Sequence, residues 1–430
     1  MIGDDVSIKA HKSIKKKEKS HASFLKNAAW QYGLQILKYL FPLLLIPYLT
    51  RVLGTDAYAI YAYVYSFMGV TQTIADFGFT LSGTKKVVEH KDDRVALSTL
   101  VGNITASRVF LLGILLVATL VISVFVPIMA DNAIYVVLAL VAVGLRALLP
   151  DFLFQGYEQM GPLTTRYFAS KGAQVLITLL IVHGPDDLLL VAVADIIGSL
   201  IGLVWSFAVT KRMFGVGISM PSPKQSLVEL KDSAIYCVSN VSSSLFSGFT
   251  TIIIGLALVD RTDIAFWSLT LTTVNAVQAL YAPITNSLYP HMLNNCDFGF
   301  ARKLALVAAP TLAIGTVAYC LLSEPIMLVL GGSEYVGAAH VMWMIAPVLP
   351  LSFYSMLIGW PALGAMGRVK ELTASTVATG IFNVVAMSAV YLAGSATLDM
   401  ICVVRCLVEA VLLITRGFAL RNTSKPLKAL

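Results

Sequence analysis

Charge is what this chain has least of: Asp, Glu, Lys and Arg make up 13% of its 430 residues, against 57% hydrophobic. With a mean hydropathy of +0.79, that balance excludes an ordinary water-soluble domain, in which about a quarter of the residues are charged. No long hydrophilic stretch is left that could fold apart from the apolar segments. Cysteine is sparse too. Cys237, Cys320, Cys402 and Cys406 fall in apolar segments and Cys296 in a loop, so no disulfide framework is expected. Cys402 and Cys406 share a helix face but lack the histidines or carboxylates that would complete a metal site. The six histidines are scattered, and nucleophile elbow, phosphate loop and paired catalytic carboxylates are all missing. A soluble-type active site and a bound cofactor are therefore not expected. The lysine-rich start is no cleavable signal peptide.

What is present is a long series of apolar segments. A helix needs roughly 20 apolar residues to cross a hydrocarbon core about 30 Å thick. About twelve segments qualify, at approximately 28–50, 57–78, 103–126, 133–149, 164–183, 187–210, 234–258, 264–287, 304–323, 338–360, 372–393 and 398–420. Lysine and arginine crowd the start (Lys9, Lys12, Lys15, Lys16, Lys17, Lys19) and alternate loops, such as Lys85, Lys86, Lys91 and Arg94, or Lys211, Arg212 and Lys224. Arg166 and Lys171 are counted with these loops. The intervening loops offer little beyond Arg51 and Arg261. By the positive-inside rule both termini are cytoplasmic. The net charge of +7 is thus a topology signal, and no nucleic-acid partner is inferred from it.

Polar residues at helical spacing run down four of these segments. Asn27, Gln31, Gln35, Lys38 and Pro42 mark the first, and Tyr58, Tyr61, Tyr65, Gln72 and Asp76 the second. Tyr236, Asn240, Ser243, Ser247 and Thr250 mark the seventh, and Asn275, Gln278, Ala282 and Thr285 the eighth. Residues so spaced share one helix face, and a polar face within a bilayer must look at protein or water. The stripes predict a hydrophilic cavity whose candidate substrate-binding residues are Lys38, Gln31, Gln35, Tyr65, Gln72, Asp76, Asn240, Asn275 and Gln278. Lys38 is too deep to reach the interface easily. Asp76 is placed to close the cavity floor or to pair with Lys85 or Lys86, and Arg108 and Arg146, near segment ends, to snorkel. Asp195 and Arg405 stand at equivalent depths in segments six and twelve with Glu409 one turn away, a candidate charge network.

The chain also repeats. Leu25-Lys-Asn-Ala-Ala29 is matched by Leu230-Lys-Asp-Ser-Ala234, and Thr55-Asp56 by Thr262-Asp263. Six segments precede the second copy, so both copies point the same way. The expected fold is an all-α polytopic membrane protein of about twelve helices, in two six-helix lobes around a central cavity. Its parts would be a basic cytoplasmic tail (1–27), an N-lobe (28–210), a cytoplasmic linker (211–232), a C-lobe (233–421) and a short cytoplasmic tail (422–430).

Three stretches carry a family resemblance: Arg51-Val-Leu-Gly-Thr-Asp-Ala-Tyr58, Asp76-Phe-Gly-Phe-Thr-Leu-Ser-Gly-Thr-Lys85 and Pro150-Asp-Phe-Leu-Phe-Gln-Gly-Tyr-Glu-Gln-Met160. Over about residues 24 to 420 the chain resembles the Wzx-type O-antigen and polysaccharide flippases of the MATE/MOP superfamily. It departs from them at Ala59, where Gly is frequent, and at Phe152, where Trp is common. The resemblance implies a transporter, not an enzyme, in the cell inner membrane. Its implied substrate is an undecaprenyl-pyrophosphate-linked oligosaccharide, moved from the cytoplasmic to the periplasmic leaflet. Lys38 would meet the pyrophosphate, the stripes the sugars, and Pro42, Pro47 and Pro283 would bend gating helices. Membrane lipids and other polysaccharide-assembly membrane proteins are the expected partners. The alternative is a MATE-like drug/cation antiporter, whose cavity would favour acidic residues where this one offers Lys38.

Overall fold

A computed structural model describes residues 2–421 except 259, 282–283, 286–287, 290–291 and 293–297, and leaves the side chains of 2–26, 28, 235–236, 238–247 and 298 undescribed. Pro283, Cys296 and the 422–430 tail thus lie outside the described residues, as does the side chain of Asn240.

The first helix, α1 (Ile2–Asp76), is continuous with the expected basic tail and is interrupted at Gly54 (φ 68°, ψ −178°). A side chain there would be strained, so glycine provides the break. Its apolar part belongs to a 61-residue run, Ala29–Glu89, about 90 Å if straight, three bilayer cores long. Lys38 and Tyr65 line one cavity although a straight helix would hold them about 40 Å apart. The chain therefore folds back at Gly54, and α1 supplies two crossings. After it come α2 (Phe79–Glu89), α3 (Arg94–Phe125), α4 (Pro127–Ala130), α5 (Ala133–Ala147), α6 (Asp151–Gly156), α7 (Met160–Ile181) and α8 (Leu188–Phe214). Asp93 caps α3 by accepting hydrogen bonds from the Val95 and Ala96 amides. Gly215 ends α8 in the left-handed conformation, just past Lys211 and Arg212.

The second half contains α9 (Pro223–Ala257), α10 (Arg261–Ala279), α11 (Phe298–Leu321), α12 (Ser323–Gly331), α13 (Ala339–Ile345), α14 (Val348–Leu357), α15 (Val369–Leu392) and α16 (Leu398–Arg421). A π-helical turn, Ile358–Gly364, continues α14 around Pro361. The connector between halves is shorter than the expected 211–232, because α8 runs to Phe214 and α9 starts at Pro223. It is pinned to α3 by the Ser219 amide donating to Ser98 O and the Ser222 amide to Asn103 Oδ1.

Each of the twelve expected segments overlaps a described helix, yet among the described residues six helices are long and apolar enough to cross a membrane on that measure alone, one of them, Ala29–Glu89, covering two expected segments, or seven with the bent pair Ser333–Ile345 and Val348–Gly364. Helices outside that set include α7, with Arg166 and Lys171, and α16, with Arg405, Glu409 and Arg416. Their charges turn inward: Arg166 pairs with Asp151, Lys171 with Asp195 and Arg405 with Glu409, and Arg416 donates to Ser355 O. Outer faces are apolar: Phe110, Ile114, Val117, Val121 and Val124 repeat at helical spacing along α3 and are all exposed. A contiguous apolar face of that length suits lipid, not water.

Within the first half α7 packs on α8, α5 on α8 and α1 on α7; within the second, α15 packs on α16 and α9, and α14 on α16. Both arms of the molecule meet where α1 contacts α9 and α10. At the Gly54 end they share one core, in which Leu49, Leu53, Tyr58 and Tyr63 of the first half cluster with Ile254, Leu269, Tyr335 and Ile345 of the second.

Candidate functional site

Two adjoining cavities lie between the halves, and a third adjoins them within the first half. The largest, about 500 Å³, is walled by Ser66, Gly69 and Thr73 of α1 on one side and by Thr250, Asn275, Asn383, Arg405 and Glu409 on the other. A second, about 290 Å³, shares Ser66 and Asn275 with it and adds Lys38, Tyr58, Tyr61, Tyr65, Tyr167, Lys171 and Gln174. The third, about 300 Å³, shares Thr73 and is lined by Gln72, Asp76, Arg108, Arg146 and Asp151. Together they form a polar tract from the Lys38 level to the Asp76 level.

The stripes of α1 reach this tract because the Gly54 break turns both of its arms toward it. Lys38 is exposed into the second cavity and makes no ion pair among the described residues. Tyr65 lines the same cavity with its ring stacked on Tyr61, centroids 5.8 Å apart and planes 23° from parallel. Such a platform offers the apolar face of a sugar ring a flat partner. Asn275 borders the first two cavities. Gln72 accepts from Arg146 Nε at 3.4 Å. Asp76 accepts from Arg108 Nη2 at 2.9 Å and from the Thr80 hydroxyl at 2.6 Å. Gln31 and Gln35 are exposed on α1, and Gln278 is half-buried on α10, but none of the three lines these cavities.

Several pairings differ from those expected. Asp195 and Arg405 do not form one network. Asp195 is gripped by Arg146 Nη1 at 2.6 Å and Lys171 Nζ at 3.1 Å, while Arg405 bonds Glu409 at 2.8 Å on its own helix. Equivalent depth in two helices says nothing of which faces oppose. Arg108 and Arg146 do not snorkel. Arg108 is 3% exposed, donates to Leu149 O and Asp76, and lies over the rings of Phe79 and Phe152. Asp76 meets neither Lys85 nor Lys86, whose partners are Glu89 and the pair Glu229 and Asp232. Arg166 is a buried partner of Asp151. Lys171, counted as a loop charge, stands inside α7 and also donates to Gln174 at 2.6 Å. The signal for it was there: Tyr167, Lys171, Gln174 and Thr178 repeat at four, three and four, a polar stripe like those of the first two segments.

Electrostatically the two walls differ. On the first-half wall Lys38, Lys171, Arg108 and Arg146 stand against Asp76, Asp151 and Asp195, an excess of one positive charge (four less three), and Lys38 is the cation without an ion-pair partner among the described residues. On the second-half wall Arg405 is balanced by Glu409, beside the neutral Asn383, which donates to Thr250 Oγ1 at 3.1 Å. Both ends of the tract are shut. At the Gly54 end the Thr50 hydroxyl donates to Leu330 O at 2.8 Å, Arg51 to Val329 O at 2.7 Å, and Arg261 pairs with Asp131 at 3.5 Å. At the opposite end Lys86 bonds Glu229 (2.9 Å) and Asp232 (2.8 Å), and the Ser82 and Ser233 hydroxyls meet at 2.6 Å.

An all-helical, lipid-facing exterior around a closed polar tract defines a polytopic membrane transporter. Comparisons with known proteins narrow this. The chain belongs to the polysaccharide biosynthesis protein family, whose profile matches residues 24–295. It is 23% identical over 370 residues, 84% of this chain and 88% of the relative, to a protein of Escherichia coli (strain K12) described as "Putative O-antigen transporter". A Shigella dysenteriae protein of the same description is 23% identical over 271 residues, 63% of this chain and 67% of its own. Among solved structures the fold is similar to the lipid II flippase MurJ in an inward closed conformation (TM-score 0.73, 12% identity, 93% of this chain and 88% of that one). It is also similar to an inward-facing multidrug MATE transporter of the MOP superfamily (TM-score 0.64, 14% identity, 91% and 96%).

Proposed function

We propose that this protein is a flippase that carries undecaprenyl-pyrophosphate-linked oligosaccharide repeat units, of O-antigen or a related surface polysaccharide, from the cytoplasmic to the periplasmic leaflet of the inner membrane by alternating access. The observation that carries this reading is the net positive first-half wall of a closed polar tract, on which Lys38 has no ion-pair partner among the described residues. A pyrophosphate diester bears two negative charges, and ammonium and guanidinium donors in a low-dielectric cavity hold it by charge-assisted hydrogen bonds. The stacked Tyr61 and Tyr65 and the neutral amides of Asn275 and Asn383 suit uncharged sugars. The same excess repels an organic cation, which disfavours drug/cation antiport. The family and its transporter relatives favour translocation over any enzymatic step. In this reading residues 28–210 and 233–421 are the two moving lobes, and other polysaccharide-assembly proteins of the membrane are its partners.

Deleting the gene is expected to abolish surface polysaccharide and to accumulate lipid-linked repeat units in the cytoplasmic leaflet. Purified protein in liposomes should move such a glycolipid between leaflets without cleaving or extending it. Intact surface polysaccharide with heightened sensitivity to cationic drugs would instead favour the antiporter.

Alternation of the basic loops orients the chain with the Gly54 end periplasmic. In a cysteine-free background, single cysteines at His90, Ser222 and Met366 should resist membrane-impermeant thiol reagents in intact cells, and cysteines at Thr55, Pro185 and Thr262 should react. Labelling of the Ser222 position from outside would reverse the orientation.

A further inference from the structure

Two tyrosines whose hydroxyls have no hydrogen-bond partner among the described residues sit in the seam that shuts the Gly54 end. Tyr63 of α1 is 1% exposed and lies against Gly255 of α9, where an added Cβ would stand 2.3 Å from its hydroxyl oxygen. Tyr335, just beyond α12, is 0% exposed and meets Tyr58 edge-on, centroids 5.8 Å apart at 86°. Neither hydroxyl has a hydrogen-bond partner among the described residues, and each is sealed from solvent. One tyrosine belongs to the first half and packs on the second, and the other does the reverse. Both dry hydroxyls therefore lie on the interface that must part if the tract opens at this end. A buried hydroxyl without a partner is disfavoured relative to a hydrated one, and parting the halves would hydrate both. Phenylalanine would fill the same space without that penalty, so at both positions the chain carries the residue that weakens the closed seam.

We propose that this seam is a poised gate: its closed form is held by the Thr50 and Arg51 bonds to the end of α12 and kept only marginally stable by the two dry tyrosine hydroxyls, so that it opens readily. The inference rests on alternating opening of the tract, and it is tested by a measurement that needs no cargo.

A cysteine replacing Ser66, which borders both upper cavities, is placed in a cysteine-free background and labelled with an impermeant thiol reagent in membrane vesicles of either orientation. From the Gly54 side, Tyr63→Phe and Tyr335→Phe are each expected to slow labelling about fivefold or more, the factor that corresponds to roughly 1 kcal/mol, and the double variant further. Gly255→Ala wedges a methyl group against Tyr63 and is expected to speed it. Unchanged labelling in both phenylalanine variants overturns the proposal. So does faster labelling in all three, the result that a general loosening of the fold would give. Unimpaired export in phenylalanine variants whose labelling is slowed would count against the flippase reading and leave the gate standing.

Discussion

Asp195→Asn is expected to remove most of the folded protein from the membrane. In the native protein one carboxylate answers two cations, Arg146 at 2.6 Å and Lys171 at 3.1 Å, and all three side chains are about four-fifths buried. Asparagine leaves two like charges facing each other with only Gln72, Ser199 and Gln174 to solvate them. Breaking a buried pair from one side costs about 3–5 kcal/mol, a large part of the roughly 5–15 kcal/mol that holds a typical domain together. Membrane abundance should drop several-fold. The rescue is specific. Adding Lys171→Gln returns the local excess to one positive charge, the native value for this trio, and should restore much of the protein, while Lys171→Gln alone should fold. Arg405→Gln should not rescue, because Arg405 answers to Glu409. Normal abundance of Asp195→Asn in a quantitative immunoblot, or rescue through Arg405, would show that this carboxylate is not the keystone of the trio.

Lys38→Ala should have the opposite profile, with normal abundance and lost export. The Lys38 side chain is exposed into the cavity and makes no ion pair among the described residues, so its removal leaves no buried charge stranded. On the proposed reading its energetic role falls on the cargo: a hydrogen bond to an ionised group is worth roughly 1.5–3 kcal/mol, a ten- to hundredfold change in binding. Lys38→Arg should retain part of the activity, since it keeps the cation but changes its reach and shape. Lys38→Glu should be as inactive as alanine or worse. Surface polysaccharide measured at matched protein level decides it, and full export by Lys38→Ala would remove this residue from the pyrophosphate site.

The difference between these two residues also shows where a sequence stops being informative. Lys38, Tyr65, Gln72, Asp76 and Asn275 were legible because a helix has a fixed period: a polar residue every three or four positions must share a face, and in a bilayer such a face has few places to go. Lys171 obeys the same rule, yet it sits in a short basic cluster with Arg166 that also reads as a cytoplasmic loop. Gln31, Gln35 and Gln278 share their helix faces with cavity residues but line none of the three cavities. Periodicity gives an azimuth, not what stands opposite it.

The sequence by itself determined that the chain is a many-helix membrane protein and that the first two and the eighth segments each carry a polar face, because hydrophobicity and helical period are local properties. Only the tertiary structure decided that Asp195 holds Arg146 and Lys171, that Arg108 turns inward to Asp76, that both ends of the tract are shut, and that Tyr63 and Tyr335 are sealed dry in the seam. Each of those depends on how one helix is rotated and shifted against another. Those two quantities are set by the packing of all the helices at once and leave no mark on any one of them.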